Sequence, residues 1–336
     1  MSRADPRDVD RLERQGGGRP TIGVDVGGTK IAAGFVDSSG AIVERTQVPT
    51  AADDAVAIVK DIVAVARRIA SAHADAGAVG VGAAALVDVD AGVILGGPNL
   101  AYRDVPLGDT LSKELGLPAI VDNDANVAGL GEAVYGAGRD AGDQVMVTIG
   151  TGIGSGIIID RQIYRGHYGV GGELGHMVID PDGPVCSCGN RGCWEAVASG
   201  RAIGRLARER VEGGAGADVL AMAGGDVKAI TGELVGEAAM AGDPFARDVL
   251  AEIGRMLGIG LANIVNIFDP EVIVVGGGAA AGTGELLIGP ARDSMRAHVI
   301  GLAWRKPVKV VKASLGNDAG IVGAAVLARS IATIPA

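Results

Sequence analysis

Apolar positions along the chain alternate between a strand-like and a helix-like period. From Thr21 to Asp37 the sequence TIGVDVGGTKIAAGFVD carries apolar and β-branched residues on both sides of Gly27-Gly28. That pattern predicts a β-hairpin with a tight glycine turn. Asp53 to Ala72 places apolar residues at 56, 59, 62, 63, 66 and 69, one face of an amphipathic helix. Val79 to Val87 reads as a buried strand, and Pro98-Asn99-Leu100 as a loop. Ala119 to Asn126 reads as a short strand breaking into polar residues, with Asp124 placed to cap the helix that follows. Gln144 to Asp160, QVMVTIGTGIGSGIIID, echoes the first hairpin, and Gly150 precedes Asp160 by the interval that separates Gly27 from Asp37. The second half reads as largely helical: Ser199 is placed to cap a helix through Arg210, and Phe245 to Phe268 is a long apolar-rich helix. Glu271 to Val275 is a strand feeding Gly276-Gly277-Gly278 and another helix. Val308 to Val311 is a strand ahead of Gly316-Asn317-Asp318-Ala319-Gly320, which opens the final helix.

At 336 residues the chain is long enough for two domains. Its 48% hydrophobic and 21% charged residues are ordinary for a globular protein. A net charge of −10 and a sequence pI near 4.9 argue against nucleic acid or an anionic membrane as partner, since both need clustered Lys and Arg. The longest apolar run, Ala76 to Val87, stops at Asp88, short of the ~18 residues of a membrane span. The N-terminus shows no apolar core of a secretory signal, and a cytoplasmic protein is expected. Glycine supplies 56 residues, so only glycine motifs with defined neighbours carry weight.

All three cysteines fall in one stretch, GGELGHMVIDPDGPVCSCGNRGCWE. Cys186, Cys188 and Cys193 with His176 make a complete tetrahedral zinc set. A disulfide pair would leave one cysteine over and the histidine unexplained, so zinc is the reading. Glu173 and Glu195 bracket the stretch. With His176 they suit a polyhydroxyl ligand, since carboxylates accept hydrogen bonds from hydroxyls; each also reads as an ordinary surface charge. The bare amides of Gly27 and Gly28 let phosphate oxygens approach, with the Thr29 hydroxyl, the Lys30 charge and Asp25 alongside. The spacing is not that of a Walker loop. Gly150, Thr151, Gly152 and Gly154 offer a second such turn. Gly276, Gly277 and Gly278, between a strand and a helix, offer a third nucleotide contact.

GELGH followed by CSCGNRGCWE resembles the ROK family of bacterial sugar kinases and sugar-responsive repressors, whose zinc motif C-x-C-G-x-x-G-C-x-E is matched without departure. The resemblance runs from Thr21 to about Leu327. It implies an α/β, two-domain actin-like ATPase and sugar-kinase (ribonuclease H-like) fold, in which two glycine hairpins clasp a nucleotide. The implied domains are a tail over 1–20, a smaller N-terminal domain of 21–122 plus about 317–336, and a larger domain of 123–316 carrying the zinc motif. The implied reaction is ATP-dependent phosphorylation of glucose at its 6-hydroxyl, with Mg2+ and a structural Zn2+. Asp124 would be the general base, and Asn99, Asn123, Glu173, His176 and Glu195 would hold the sugar. Where relatives often have a Trp shortly after that Asn, this chain has Tyr102. The alternatives are another hexose (fructose, mannose or an N-acetylhexosamine), polyphosphate as donor, or a non-catalytic sugar sensor. Sensors in this family carry an N-terminal DNA-binding domain, for which the residues ahead of Arg19 are too few. A homodimer or homotetramer is the expected assembly.

Overall fold

The structure, a computed structural model, describes residues 8–10, 19–97 and 100–332. The chain forms two compact units, one of Met1–Met146, Gly156–Gly172 and Ala313–Ala336, the other of Val147–Ser155 and Glu173–Lys312.

The first unit opens with the expected hairpin, β1 (Thr21–Val26) against β2 (Lys30–Val36), closed by a Gly27 N–H to Lys30 carbonyl bond of 3.0 Å. β3 (Ile42–Pro49) extends it on the β2 side. Helix α1 (Ala55–Ala72) follows, its first amides capped by the Asp54 carboxylate. Of the expected stripe, Ile62, Val63, Ala66 and Ile69 are buried and Val59 packs against the core, joined by buried Ile58 and Val65, while Val56 is exposed.

β4 (Val79–Ala83) then runs parallel to β1. The apolar run to Val87 is not one strand. The chain turns at Ala84-Ala85, and β5 (Leu86–Asp88) joins β6 (Val93–Gly96) and β7 (Arg103–Val105) in a separate small sheet. After α2 (Leu107–Leu115), β8 (Ala119–Asn123) pairs in parallel with β4 and passes directly into α3 (Asp124–Tyr135).

The main sheet has the order β3-β2-β1-β4-β8. A second sheet has the order β11-β10-β9-β12-β13, from β9 (Gln144–Ile149), β10 (Ile153–Ile159), β11 (Gln162–Tyr164), β12 (Val272–Gly276) and β13 (Lys309–Lys312). In chain order each sheet is third, second, first, fourth, fifth strand, so the sequence echo is a repeat of topology. The division between units passes through β9 and β10.

The helices of the second unit are α4 (Trp194–Ala198), α5 (Gly200–Glu212), α6 (Ala217–Met222), α7 (Gly232–Ala241), α8 (Pro244–Phe268), α9 (Gly278–Thr283) and α10 (Glu285–His298). Ser199 caps α5 as expected, accepting from the Ala202 amide. α8 is long and apolar enough to span a membrane by length and composition, but it is a core helix. A Cβ at Gly254 would stand 2.6 Å from the Leu287 carbonyl oxygen, and one at Gly258 2.3 Å from that of Ala291. Only glycine permits α10 to lie so close.

The last helix, α11 (Ala319–Arg329), belongs to the first unit. A Cβ at Gly23 would meet the Ile321 carbonyl oxygen at 1.9 Å, one at Gly80 that of Ala324 at 1.9 Å, and one at Gly323 that of Val127 at 1.6 Å. α11 therefore touches β1, β4 and α3 backbone to backbone. The same contact groups α3 with the first unit, whereas the sequence boundary fell at residue 123.

Of the tail over 1–20, residues 8–10 and 19–20 are described, and Val9 is not part of a free tail. It is fully buried, and its amide donates to the Arg161 carbonyl at 2.8 Å while Asp10 pairs with Arg161.

Gly80→Ala is expected to cost at least the ~1–3 kcal/mol typical of overpacking, read as a lower midpoint in urea. Gly28→Ala, where a Cβ meets nothing within 4 Å, should leave the midpoint within error. Equal effects of the two would contradict the packing described.

Candidate active site

The first unit brings two carboxylates together. Asp25 lies near the end of β1 and is in register with Gly82 of β4. A Cβ at Gly82 would lie 3.4 Å from the Cα of Asp124. A strand position without a side chain thus separates Asp25 from the first residue of α3. On its other side the Asp25 carboxyl rests against Gly320 in the first turn of α11, where a Cβ would be 2.6 Å from the carboxyl carbon.

This setting raises the proton affinity of both groups. Burial and the Asp124 charge push Asp25 up to about 7, against a smaller opposing pull from Lys30. Burial likewise raises Asp124 above the ordinary carboxylate range, partly offset by backbone amides and Asn123. Two carboxylates that share a site resist joint ionisation, and a cation relieves them. As a hard oxygen donor whose negative charge lacks full compensation, Asp25 fits a magnesium ion carrying phosphates.

Asn123, not Asp124, caps α3. Its Oδ1 accepts from the amides of Ala125 and Asn126 at 2.9 and 3.1 Å, and its Nδ2 donates to the Ala85 carbonyl at 3.2 Å. The Asn123 side chain also hydrogen-bonds the Asp124 carboxylate, and it takes the capping position that sequence allowed Asp124. Asp122 anchors the junction beneath. Its Oδ2 accepts from Arg165 Nε and Nη2 at 2.8 and 2.6 Å, and its Oδ1 from Asn126 Nδ2 at 3.1 Å, all buried. No motif pointed to Arg165 or Asp122. Tyr102 was noted only as a departure from relatives. Its phenol oxygen is buried with no hydrogen-bond partner among the described residues, and both burial and the Asp124 charge raise its proton affinity.

The first glycine turn is held from below by Thr50, whose hydroxyl donates to the Gly27 carbonyl at 2.8 Å and whose amide donates to Thr29 O at 3.1 Å. Gly28, Thr29 and Lys30 stay exposed. Asn99 lies outside the described residues.

The second unit holds the metal set. The ligand atoms of His176, Cys186, Cys188 and Cys193 all lie within 4.8 Å of one another. Cys188 and Cys193 sulfurs are 3.7 Å apart, as are Cys186 Sγ and His176 Nδ1. A tetrahedral zinc with Zn–S near 2.3 Å spaces its sulfurs about 3.8 Å apart, so the donor set fits the ion. Burial and the neighbouring thiols push Cys193 up to about 12, and a divalent cation reverses such a shift. Two glycines shape the loop: Gly189 adopts φ +92°, and at Gly192, φ +69°, a Cβ would fall 1.5 Å from the Asp180 carbonyl oxygen.

His176 turns Nδ1 to the thiols and Nε2 toward Glu173, 4.0 Å from its carboxylate. Glu195 Oε1 lies 3.6 Å from the Cys186 sulfur. Glu173, His176 and Glu195 are therefore strung around one corner of the metal set. The second glycine turn, Gly150–Gly152, is closed by a Gly150 N–H to Gly152 O bond of 3.0 Å. Gly154 lies within β10 and Gly276 is buried within β12. Gly277, at φ +89°, packs on Ile149, and Gly278 is exposed at the start of α9. Of that last trio, only Gly277 lies between the strand and the helix.

The repeated sheet order and the two carboxylates define the actin-like ATPase and sugar-kinase class, and the match to known proteins agrees. The ROK family model matches residues 21–331, and the chain belongs to that family. It is 42% identical over 311 residues to the glucokinase of Streptomyces coelicolor, covering 92% of this chain and 97% of that one. It is 38% identical over 309 residues to the glucokinase of Halalkalibacterium halodurans, covering 90% and 92%. A ROK family glucokinase from Streptomyces griseus, solved in complex with glucose and AMPPNP, superposes with a TM-score of 0.84 at 44% identity, covering 92% of this chain and 99% of that one.

The carboxylate pair gives a pH signature. Asp25 holds its proton more tightly folded than unfolded, so folding takes up a proton between the two pKa values. Its contribution is fully present below the unfolded pKa of 3.8 and is lost as pH rises through about 7. Asp25→Asn should therefore raise the melting temperature of metal-free protein at pH 8 and leave it unchanged near pH 4. A variant destabilised at pH 8 would contradict the assigned environment.

Proposed function

We propose that the protein phosphorylates glucose at its 6-hydroxyl with ATP. The carrying observation is the Asp25–Asp124 pair, one carboxylate suited to a metal-bound phosphate and the other to a proton. Similarity to glucokinases, one solved with glucose and AMPPNP, supplies the substrates.

Asp124 accepts the proton of the 6-hydroxyl. Burial raises its proton affinity, which makes it a stronger proton acceptor than an ordinary carboxylate. Asn123, Glu173 and the Nε2 side of His176 suit the sugar hydroxyls as hydrogen-bonding groups. Asp25 would hold Mg2+, which supplies charge neutralisation for the phosphates. Gly27, Gly28, Thr29 and Lys30 suit phosphate oxygens through bare amides, a hydroxyl and a charge, and the turn of Gly150, Thr151 and Gly152 in the second unit offers bare amides of the same kind. Gly277 and Gly278 lie at the nucleoside end. His176, Cys186, Cys188 and Cys193 would hold Zn2+, which fixes the loop rather than reacting. Most of the rate in phosphoryl transfer comes from such positioning and charge stabilisation. Three cysteines committed to a metal suit the reducing cytoplasm.

ADP release across a panel of hexoses tests the reading: glucose should be the fastest substrate, and a faster N-acetylhexosamine would overturn it. Asp124→Asn tests the base. The cap is Asn123, so the variant should fold and melt within a few degrees of the parent. Its kcat should fall by about 10²–10⁴, with little change in KM for ATP. Retention of more than about a tenth of parental kcat would falsify the role.

A further inference from the structure

The side chain of Glu195 is engaged at both ends by the protein itself. Its Oε2 accepts the amide of Ile153 at 3.0 Å, the first residue after the glycine turn Gly150–Gly152. Its Oε1 accepts from the Ser187 hydroxyl at 3.2 Å and lies 3.6 Å from the sulfur of Cys186. Ser187 stands between two of the metal ligands, and Cys193, a third, is the N-cap residue of α4, the helix that carries Glu195.

The turn has made room for this contact. A Cβ at Gly152 would lie 1.9 Å from Glu195 Oε2. The next helix also grips the turn, since the Gly200 amide donates to the Gly150 carbonyl at 2.8 Å and a Cβ at Gly200 would lie 2.6 Å from that oxygen.

We propose that Glu195 is a positioning residue that transmits the geometry of the metal-bound loop to the phosphate-binding turn Gly150–Gly152, so that zinc occupancy supports nucleotide affinity. The inference rests on the reading of that turn as a nucleotide site. A glycine turn is intrinsically mobile, and an amide cradle binds phosphate well only when its N–H groups are held in place beforehand. The carboxylate holds one end of the turn through Ile153. It is itself held through Ser187 and Cys186, whose positions the metal fixes. Without the metal the loop is free to spread, Glu195 loses its second anchor, and the turn loosens. A sugar-holding role alone for Glu195 predicts loss of glucose affinity and no change for nucleotide.

Calorimetric titration with magnesium AMPPNP, without sugar, separates these cases. Parent, Glu195→Ala, Glu195→Gln, Gly152→Ala and zinc-stripped parent are compared, each with a thermal melt. Glu195→Ala should weaken nucleotide binding roughly ten- to a hundredfold, as expected for one lost charge-assisted hydrogen bond. Glu195→Gln should restore most of it, because the amide oxygen still accepts from Ile153. Gly152→Ala, which displaces the carboxylate without removing it, should weaken binding similarly, and it carries the test if Glu195→Ala does not fold. Zinc removal should weaken binding in parent and change it little in Glu195→Ala. Parental nucleotide affinity in both alanine variants overturns the proposal, as does an equal zinc effect in parent and Glu195→Ala. A parent that binds no AMPPNP overturns the kinase reading instead.

Discussion

The carboxylate site depends on one close contact, the backbone of α11 against β1, β4 and α3. Gly23, Gly80 and Gly323 remove the side chains that would hold these elements apart. With α11 seated, Gly320 presses on the Asp25 carboxyl, and the empty position at Gly82 leaves Asp25 and Asp124 on either side of a bare strand. The electrostatics follow from that packing. Neither carboxylate has a cation partner strong enough to offset its burial, and both are raised. Such a pair is unfavourable in an empty protein and useful in one that binds a metal-bound nucleotide next to a hydroxyl.

The buried Asp122–Arg165 pair has the opposite character. It is fully compensated, with Arg165 donating twice to one oxygen and Asn126 and the Asn123 amide donating to the other. Buried ion pairs contribute little net stability, but breaking one is costly. Here the pair fixes the strand-to-helix junction from which Asn123 and Asp124 project. A compensated carboxylate two positions from an uncompensated one separates scaffold from chemistry within a single turn of chain.

The hairpins and the metal set were legible in the sequence because their signals are local. Gly27-Gly28 and Gly150–Gly154 interrupt clear strands, and three cysteines cluster in a chain with no others. The glycines that seat α11 were not legible. In a chain with 56 of them, Gly23 and Gly80 look like background inside strands, and their purpose appears only when Ile321 and Ala324 arrive from the far end of the chain. The run Val79–Val87 concealed its break because alanines 84 and 85 are as apolar as strand residues. Asn123 and Asp124 are both good caps by type, so propensity alone did not decide between them. Arg165 and Tyr102 were missed for a similar reason: burial, not residue type, gives each its meaning.

The account stands or falls on Asp124 as a base whose proton affinity has been raised by its surroundings. The dependence of kcat/KM for glucose on pH, measured at saturating magnesium ATP, reports the ionisation of the free site directly. The prediction is an acid limb with an apparent pKa clearly above the ordinary carboxylate value of about 4, absent from the residual activity of Asp124→Asn. A parental profile that stays flat down to pH 5, in protein that remains folded there, would contradict it.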